Sequence, residues 1–172
     1  MTRFKLLGTL FLILLAMASA PLSAETFEAT EADWLFVQDA ASGTLTGPDD
    51  QHLILTLKGI RSLTTAFTNR PLRKALALSN QQFFAAWDQA FGDDPPNATL
   101  SYRRAGERFR GHLVLKISAP SFDPMTKVIR YQAAVIHEKL ESLDGHTADL
   151  PIQAPRRFGS ASLFIDGSQD SY

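Results

Sequence analysis

The stretch His52-Leu53-Ile54-Leu55-Thr56-Leu57-Lys58 alternates strictly, with Leu53, Leu55 and Leu57 on one side and Ile54 and Thr56 on the other. A period of two is the signature of a strand with one face buried. Gly59 ends or bulges it. Upstream, Ala32 to Gln38 carries Trp34, Phe36 and Val37, the aromatic and β-branched content of a first strand. Ser42-Gly43 and Gly47-Pro48-Asp49-Asp50 between them read as turn material. Downstream, Ser62 to Thr68 predicts a third strand with Leu63 and Phe67 facing inward.

Asn69-Arg70-Pro71-Leu72-Arg73-Lys74 breaks the pattern, because Pro71 donates no ladder hydrogen bond and holds Arg70 extended. A helix over about 80–91 follows. Ser79 and Gln82 have the spacing of a capping box. Phe83, Phe84, Trp87 and Phe91 form one apolar stripe, and Gly92 with Pro95 and Pro96 stops it. Ala98 to Arg103, Arg108 to Ser118, Lys127 to about His137, and Ala161 to Ile165 complete the strands. Leu143 to Arg157 reads as loop, and Asp166 to Tyr172 as a frayed tail. Strands separated by turns, with one helix in the middle, predict a mainly β fold: a single antiparallel β-sandwich or roll with one amphipathic helix packed on an end or face.

The first 24 residues predict a destination. Arg3 and Lys5 precede an apolar run from Leu6 to Ala18, and Leu22-Ser23-Ala24 supplies a small-residue cleavage site. That is the build of a secretory signal peptide. The run is too short for a spanning helix of roughly 20 residues. Cleavage after Ala24 leaves a single β-rich domain, residues 25–172, starting at Glu25 and lying in the periplasm or outside the cell. The chain has no cysteine, so neither disulfides nor a cysteine-linked lipid anchor are expected. The leader holds two of the 17 basic residues and none of the 18 acids, which leaves the mature chain at −3. That balance argues against a general nucleic-acid or anionic-membrane binder.

Several segments resemble, in order, a family of small exported bacterial proteins of unknown function. They are Trp34-Leu35-Phe36-Val37-Gln38, Leu55-Thr56-Leu57-Lys58-Gly59, the F-x-x-R-P-x-R turn from Phe67 to Arg73, Phe84 with Trp87, and Pro95-Pro96-Asn97-Ala98 with Leu100. The similarity covers roughly residues 34 to 135, with Asn69 where the family pattern has Asp. The resemblance implies a bacterial source and export. It carries no activity and names no catalytic residue.

Candidate chemistry is sparse. Arg70 and Arg73 flank a rigid proline turn, with Lys74 adjacent and Arg61 nearby in sequence, and guanidinium forks bind carboxylate or phosphate in two-pronged fashion. The competing reading is structural: an ion pair with Asp88, Asp93 or Asp94. Asn97 ends a Pro-Pro-Asn turn beside them, and its Asn-Ala-Thr sequon is accidental in a bacterial chain. The aromatic stripe reads as core rather than as a ligand pocket, and so does Trp34. His52, His112, His137 and His146 make no metal-ligand spacing, so no metal and no cofactor are expected. No G-x-S-x-G, P-loop or G-x-G-x-x-G is present. Two functional expectations follow. The first is a non-catalytic binding or accessory protein of the envelope, recognising a small anionic ligand or an envelope protein through Arg70, Arg73 and Asn97. The alternative is a small exported hydrolase whose acids and histidines are gathered from distant loops.

Overall fold

A computed structural model describes residues 34–69, 71–92, 94–103, 109–142, 147–148 and 156–167, with side chains left out at 109–110, 137–142, 147–148 and 156. The leader at 1–24, and the tail beyond Gly167, lie outside the described residues. No helix among the described residues is long and apolar enough to cross a membrane.

The chain is mainly β, as the alternation predicts. Its strands are β1 (Trp34–Ala40), β2 (Ser42–Thr46), β3 (Leu53–Lys58), β4 (Leu63–Thr68), β5 (Ala75–Ser79), β6 (Asn97–Arg103), β7 (Phe109–Asp123), β8 (Val128–Ser142), β9 (Thr147–Ala148), β10 (Arg156–Phe158) and β11 (Ala161–Asp166). All pairings are antiparallel, in the order β10-β2-β3-β8-β7-β6-β11-β1-β4-β5, with β9 attached to β8. Only Ala41 separates β1 from β2, so the path meets itself. β1 pairs with β11 and β2 with β3, and the circuit through β8, β7 and β6 closes. The result is a roll closed on itself, with β4 and β5 running off as a flap beside β1.

Closure needs bends, and each has a local cause. The β7–β8 ladder shifts register between Val114 and Leu115 and between Ser118 and Ser121, and Ala119 there takes φ 45°. On the other side, Gly59 takes φ 64°, and a Cβ at that position would come within 2.9 Å of the Ala41 Cβ. Only glycine fits that corner without strain.

The inward positions fill the interior. Leu45, Leu55, Leu57, Leu100, Leu115, Ile117, Ile129, Tyr131, Leu163 and Ile165 are fully buried. The interior is therefore a packed core rather than a ligand chamber. Two helical turns close over it: α1 (Asn80–Ala85) and α2 (Trp87–Phe91). The single helical stretch read from the sequence is interrupted at Ala86 (φ −91°, ψ −1°), where the first turn ends and the second starts. The capping box forms as the spacing predicts: Gln82 N donates to Ser79 Oγ at 3.2 Å, and Ser79 N to Gln82 Oε1 at 2.9 Å. Phe83 packs on Phe36 with ring centroids 5.1 Å apart, and Trp87 on Tyr131 at 5.6 Å. Such pairs add about 0.5–1.5 kcal/mol each beyond the area they bury. Trp34, Phe83, Trp87 and Phe91 are all buried core.

Four strands differ from the sequence reading: Ser42–Thr46 takes in the Ser42-Gly43 pair read as a turn, Ala75–Ser79 is a strand ahead of the helix, and Thr147–Ala148 and Arg156–Phe158 fall on the segment read as loop. On β4 the inward positions are Thr64 and Ala66, while Leu63, expected inside, is exposed because the strand's alternation runs in the opposite phase. Gly43 serves packing rather than turning: it pairs with Phe158, whose ring occupies the space a Cβ would take.

Candidate functional site

A polar concavity lies outside the roll, at the corner where β1 passes into β2. Across that corner the chain from Gly59 to Arg61 is tied down. Ile60 N donates to Lys127 O at 3.2 Å, and Arg61 N to Asp39 O at 3.2 Å. The Arg61 carbonyl accepts from Asn80 Nδ2 at 2.8 Å. The backbone of Arg61 is thus fixed from both sides while its side chain is 79% exposed. A fixed main chain leaves only the side-chain rotamers of Arg61 to be ordered on meeting a ligand.

Register places the rest. Asp39 on β1 pairs with Ser162 on β11, and Ser162 pairs with Ser101 on β6. The Ser162 hydroxyl donates to Asp39 Oδ1 at 2.6 Å, and Arg61 Nε stands 3.6 Å from Asp39 Oδ2. These side chains, with Arg103 and Ser160, line an open cleft of about 500 Å³. A second hollow of about 620 Å³ continues from it, sharing Asp39, Gly59 and Arg61 and adding Ser62, Thr65 and Lys127. Together they make one groove around Arg61. Among its described lining side chains three are cationic (Arg61, Arg103, Lys127) and one is a carboxylate. Half-exposed ion pairs contribute little to stability, so the Arg61–Asp39 contact is cheap to rearrange.

Beneath Arg61 runs a buried polar chain. Tyr131 OH donates to Gln38 Oε1 at 2.8 Å, and Gln38 Nε2 to Thr64 Oγ1 at 3.2 Å. The Thr64 hydroxyl donates to Asn80 Oδ1 at 2.9 Å. Asn80 then reaches the Arg61 carbonyl. Gln38, Thr64, Asn80 and Tyr131 are each at most 3% exposed. Burial pushes the Tyr131 phenol well above its usual value, against a smaller opposing effect of Gln38, so it stays a neutral donor.

The residues singled out from sequence fall elsewhere. Arg70 and Asp93 lie outside the described residues. Arg73 is exposed on the β4–β5 turn at φ 48°, its N–H donating to Asn69 O at 3.2 Å. Asn97 is exposed at the start of β6, opposite Lys116. Strands β11 and β1 lie between β6 and β4, so Arg73 and Asn97 do not share a cleft described here. Asp94 pairs with Lys116 at 3.5 Å. Of the histidines, His112 stands opposite Ser101 in the β6–β7 register. His52 Nδ1 lies 2.8 Å from Asp49 Oδ1. The His52 side-chain hydrogen bond, then the Gln51 backbone N–H, hold the Asp49 carboxyl below its ordinary range. The His146 position, and the side chain of His137, lie outside the described residues. Among the described residues no three His, Asp or Glu side chains converge as a metal site would need.

No family model, curated protein or solved structure matches this chain.

Proposed function

We propose that the protein is an exported, non-catalytic binding module of the bacterial envelope, and that its outer groove holds a small anionic ligand bearing hydroxyl groups. The observation that carries this is Arg61, its main chain fixed by bonds to Asp39 and Asn80, lining one groove with Arg103, Lys127 and the hydroxyls of Ser101, Ser160 and Ser162. Guanidinium and hydroxyl donors suit carboxylate or phosphate oxygens and the hydroxyls of the same ligand. The filled interior supports placing the ligand outside the roll. Export rests on the leader pattern of residues 1–24, and the resemblance to small exported bacterial proteins agrees with it. The Arg70-Pro71-Leu72-Arg73 turn remains, in this proposal, a separate surface for an envelope partner, and Asn97, separated from it by β11 and β1, is no part of it.

The test is native mass spectrometry on the protein recovered from the export compartment of its host. Wild type retains a small acidic mass that Arg61→Ala loses while melting at the same temperature. A bare wild-type protein, or a mass retained equally by Arg61→Ala, contradicts the proposal. The hydrolase alternative draws its support from Ser101 and His112, paired across the β6–β7 ladder. Turnover of a nitrophenyl ester that Ser101→Ala abolishes would favour it.

A further inference from the structure

A separate hollow of about 420 Å³ opens on the outer face of β3, β8 and β7 and shares no lining residue with the groove. Register orders it. Ile54 pairs with Gln132 and Gln132 with Ser118, while Ala134 pairs with Lys116 one row along. His52 leads into β3 at its rim, and Pro95 closes the side toward β6. The span from β3 to β7 is two ladder intervals, about 10 Å. Ile54 is 40% exposed there, unusually open for an isoleucine on a strand.

The chemistry of the lining is one-sided. Lys116 and His52 are basic, Gln51 and Gln132 are amides, Ser118 is a hydroxyl, and no acid is among the described lining residues. Of the acids beside it, Asp49 holds His52 Nδ1 and Asp94 lies 3.5 Å from Lys116. With its Nδ1–H donated to Asp49, the neutral His52 ring offers Nε2 as an acceptor, so Lys116 is the cation that meets an anion here. Backbone bonds fix this rim, since Val135 N donates to Asp50 O at 2.8 Å and Gln51 N to Asp49 Oδ1 at 2.9 Å. His52 and Ser118 are separated by β8 and are beyond hydrogen-bond reach of one another, so they form no nucleophile–base pair.

We propose that this hollow is a second binding site, for a small carboxylate with an apolar body, such as a straight-chain fatty acid. The carboxylate meets Lys116 and the Gln132 amide, and the body lies over Ile54, Ala134 and Pro95. A mostly apolar pocket with a few convergent polar groups is the ordinary form of such sites.

The experiment is an amide NMR titration of the mature protein with octanoate, octanol and octylamine. Octanoate shifts Ile54, Lys116 and Gln132, and octanol binds about tenfold more weakly for want of a charge-assisted contact. Lys116→Ala lowers octanoate affinity about tenfold, and Lys116→Arg retains it. Asp94→Asn, which frees Lys116 from its competitor, tightens octanoate binding. Absent shifts at millimolar octanoate would overturn the proposal. So would equal binding of octanol or octylamine, or an affinity indifferent to Lys116→Ala.

Discussion

Thr64→Val removes one hydroxyl from the interior and almost no volume, so it isolates the polar chain from packing. Thr64 is fully buried, and its hydroxyl both accepts from Gln38 and donates to Asn80. Valine leaves Gln38 Nε2 without its acceptor and Asn80 Oδ1 without its donor. Each orphaned buried group costs about 1–3 kcal/mol, so the substitution should cost roughly 2–6 kcal/mol. That is a large share of a typical domain's 5–15 kcal/mol. At roughly 2–4 °C per kcal/mol for a domain of this size, melting should fall by about 5–20 °C. Urea unfolding followed by fluorescence suits the measurement, because Trp34 and Trp87 are both 6% exposed in the folded state. Thr65→Val, one residue along and exposed, is the control and should stay within about 0.5 kcal/mol. Tyr131→Phe orphans a single acceptor and should cost about half as much as Thr64→Val. If Thr64→Val and Thr65→Val share a midpoint, the chain does not hold the core and the reasoning fails.

Other predictions follow from single positions. Gly59→Val meets both the positive φ and the Ala41 Cβ, and should destabilise by about 1–3 kcal/mol in the same urea assay. Gly111→Val drives a branched side chain into the Tyr102 ring and should lower the midpoint comparably. Gly92→Asn has room for its Cβ but meets φ 49° with ψ −128°, outside the left-handed region asparagine tolerates, and should also destabilise by about 1–3 kcal/mol. The Asp49 carboxyl, followed by NMR, should titrate below the ordinary value of about 3.9, and His52→Ala should raise it. Because its folded value is depressed, the tether it gives the β2–β3 loop is present above the unfolded value. It is lost as pH falls through the folded one. N-terminal sequencing of exported protein should begin at Glu25.

The fold was largely legible because its signals are local. Leu53, Leu55 and Leu57 alternate, and so do Leu113, Leu115 and Ile117, and each set faces the core. The capping box at Ser79 formed where the spacing put it. What local reading missed depends on partners far along the chain. Gly43 looks like a turn until Phe158 is set over it. Ala75-Leu76-Ala77-Leu78 becomes a strand only because β4 pairs with it. The groove was hidden for the same reason. Asp39, Ser101 and Ser162 belong to β1, β6 and β11, and only the register joins them. Arg61 was visible as a cation, but its significance lies in backbone bonds to Asp39 and Asn80 that no spacing encodes. Arginines around a proline turn attracted notice because they are close in sequence, which is a poor guide to closeness on a rolled sheet.

The most direct test of the groove is an amide NMR titration of the mature protein with citrate, a hydroxylated tricarboxylate, repeated on Arg61→Ala. The account predicts shifts confined to Asp39, Gly59, Arg61, Ser62, Thr65, Ser101 to Arg103, Lys127 and Ser160 to Ser162, weakened about tenfold or more in Arg61→Ala. Shifts elsewhere on the surface, or shifts in the groove that Arg61→Ala leaves unchanged, would contradict it.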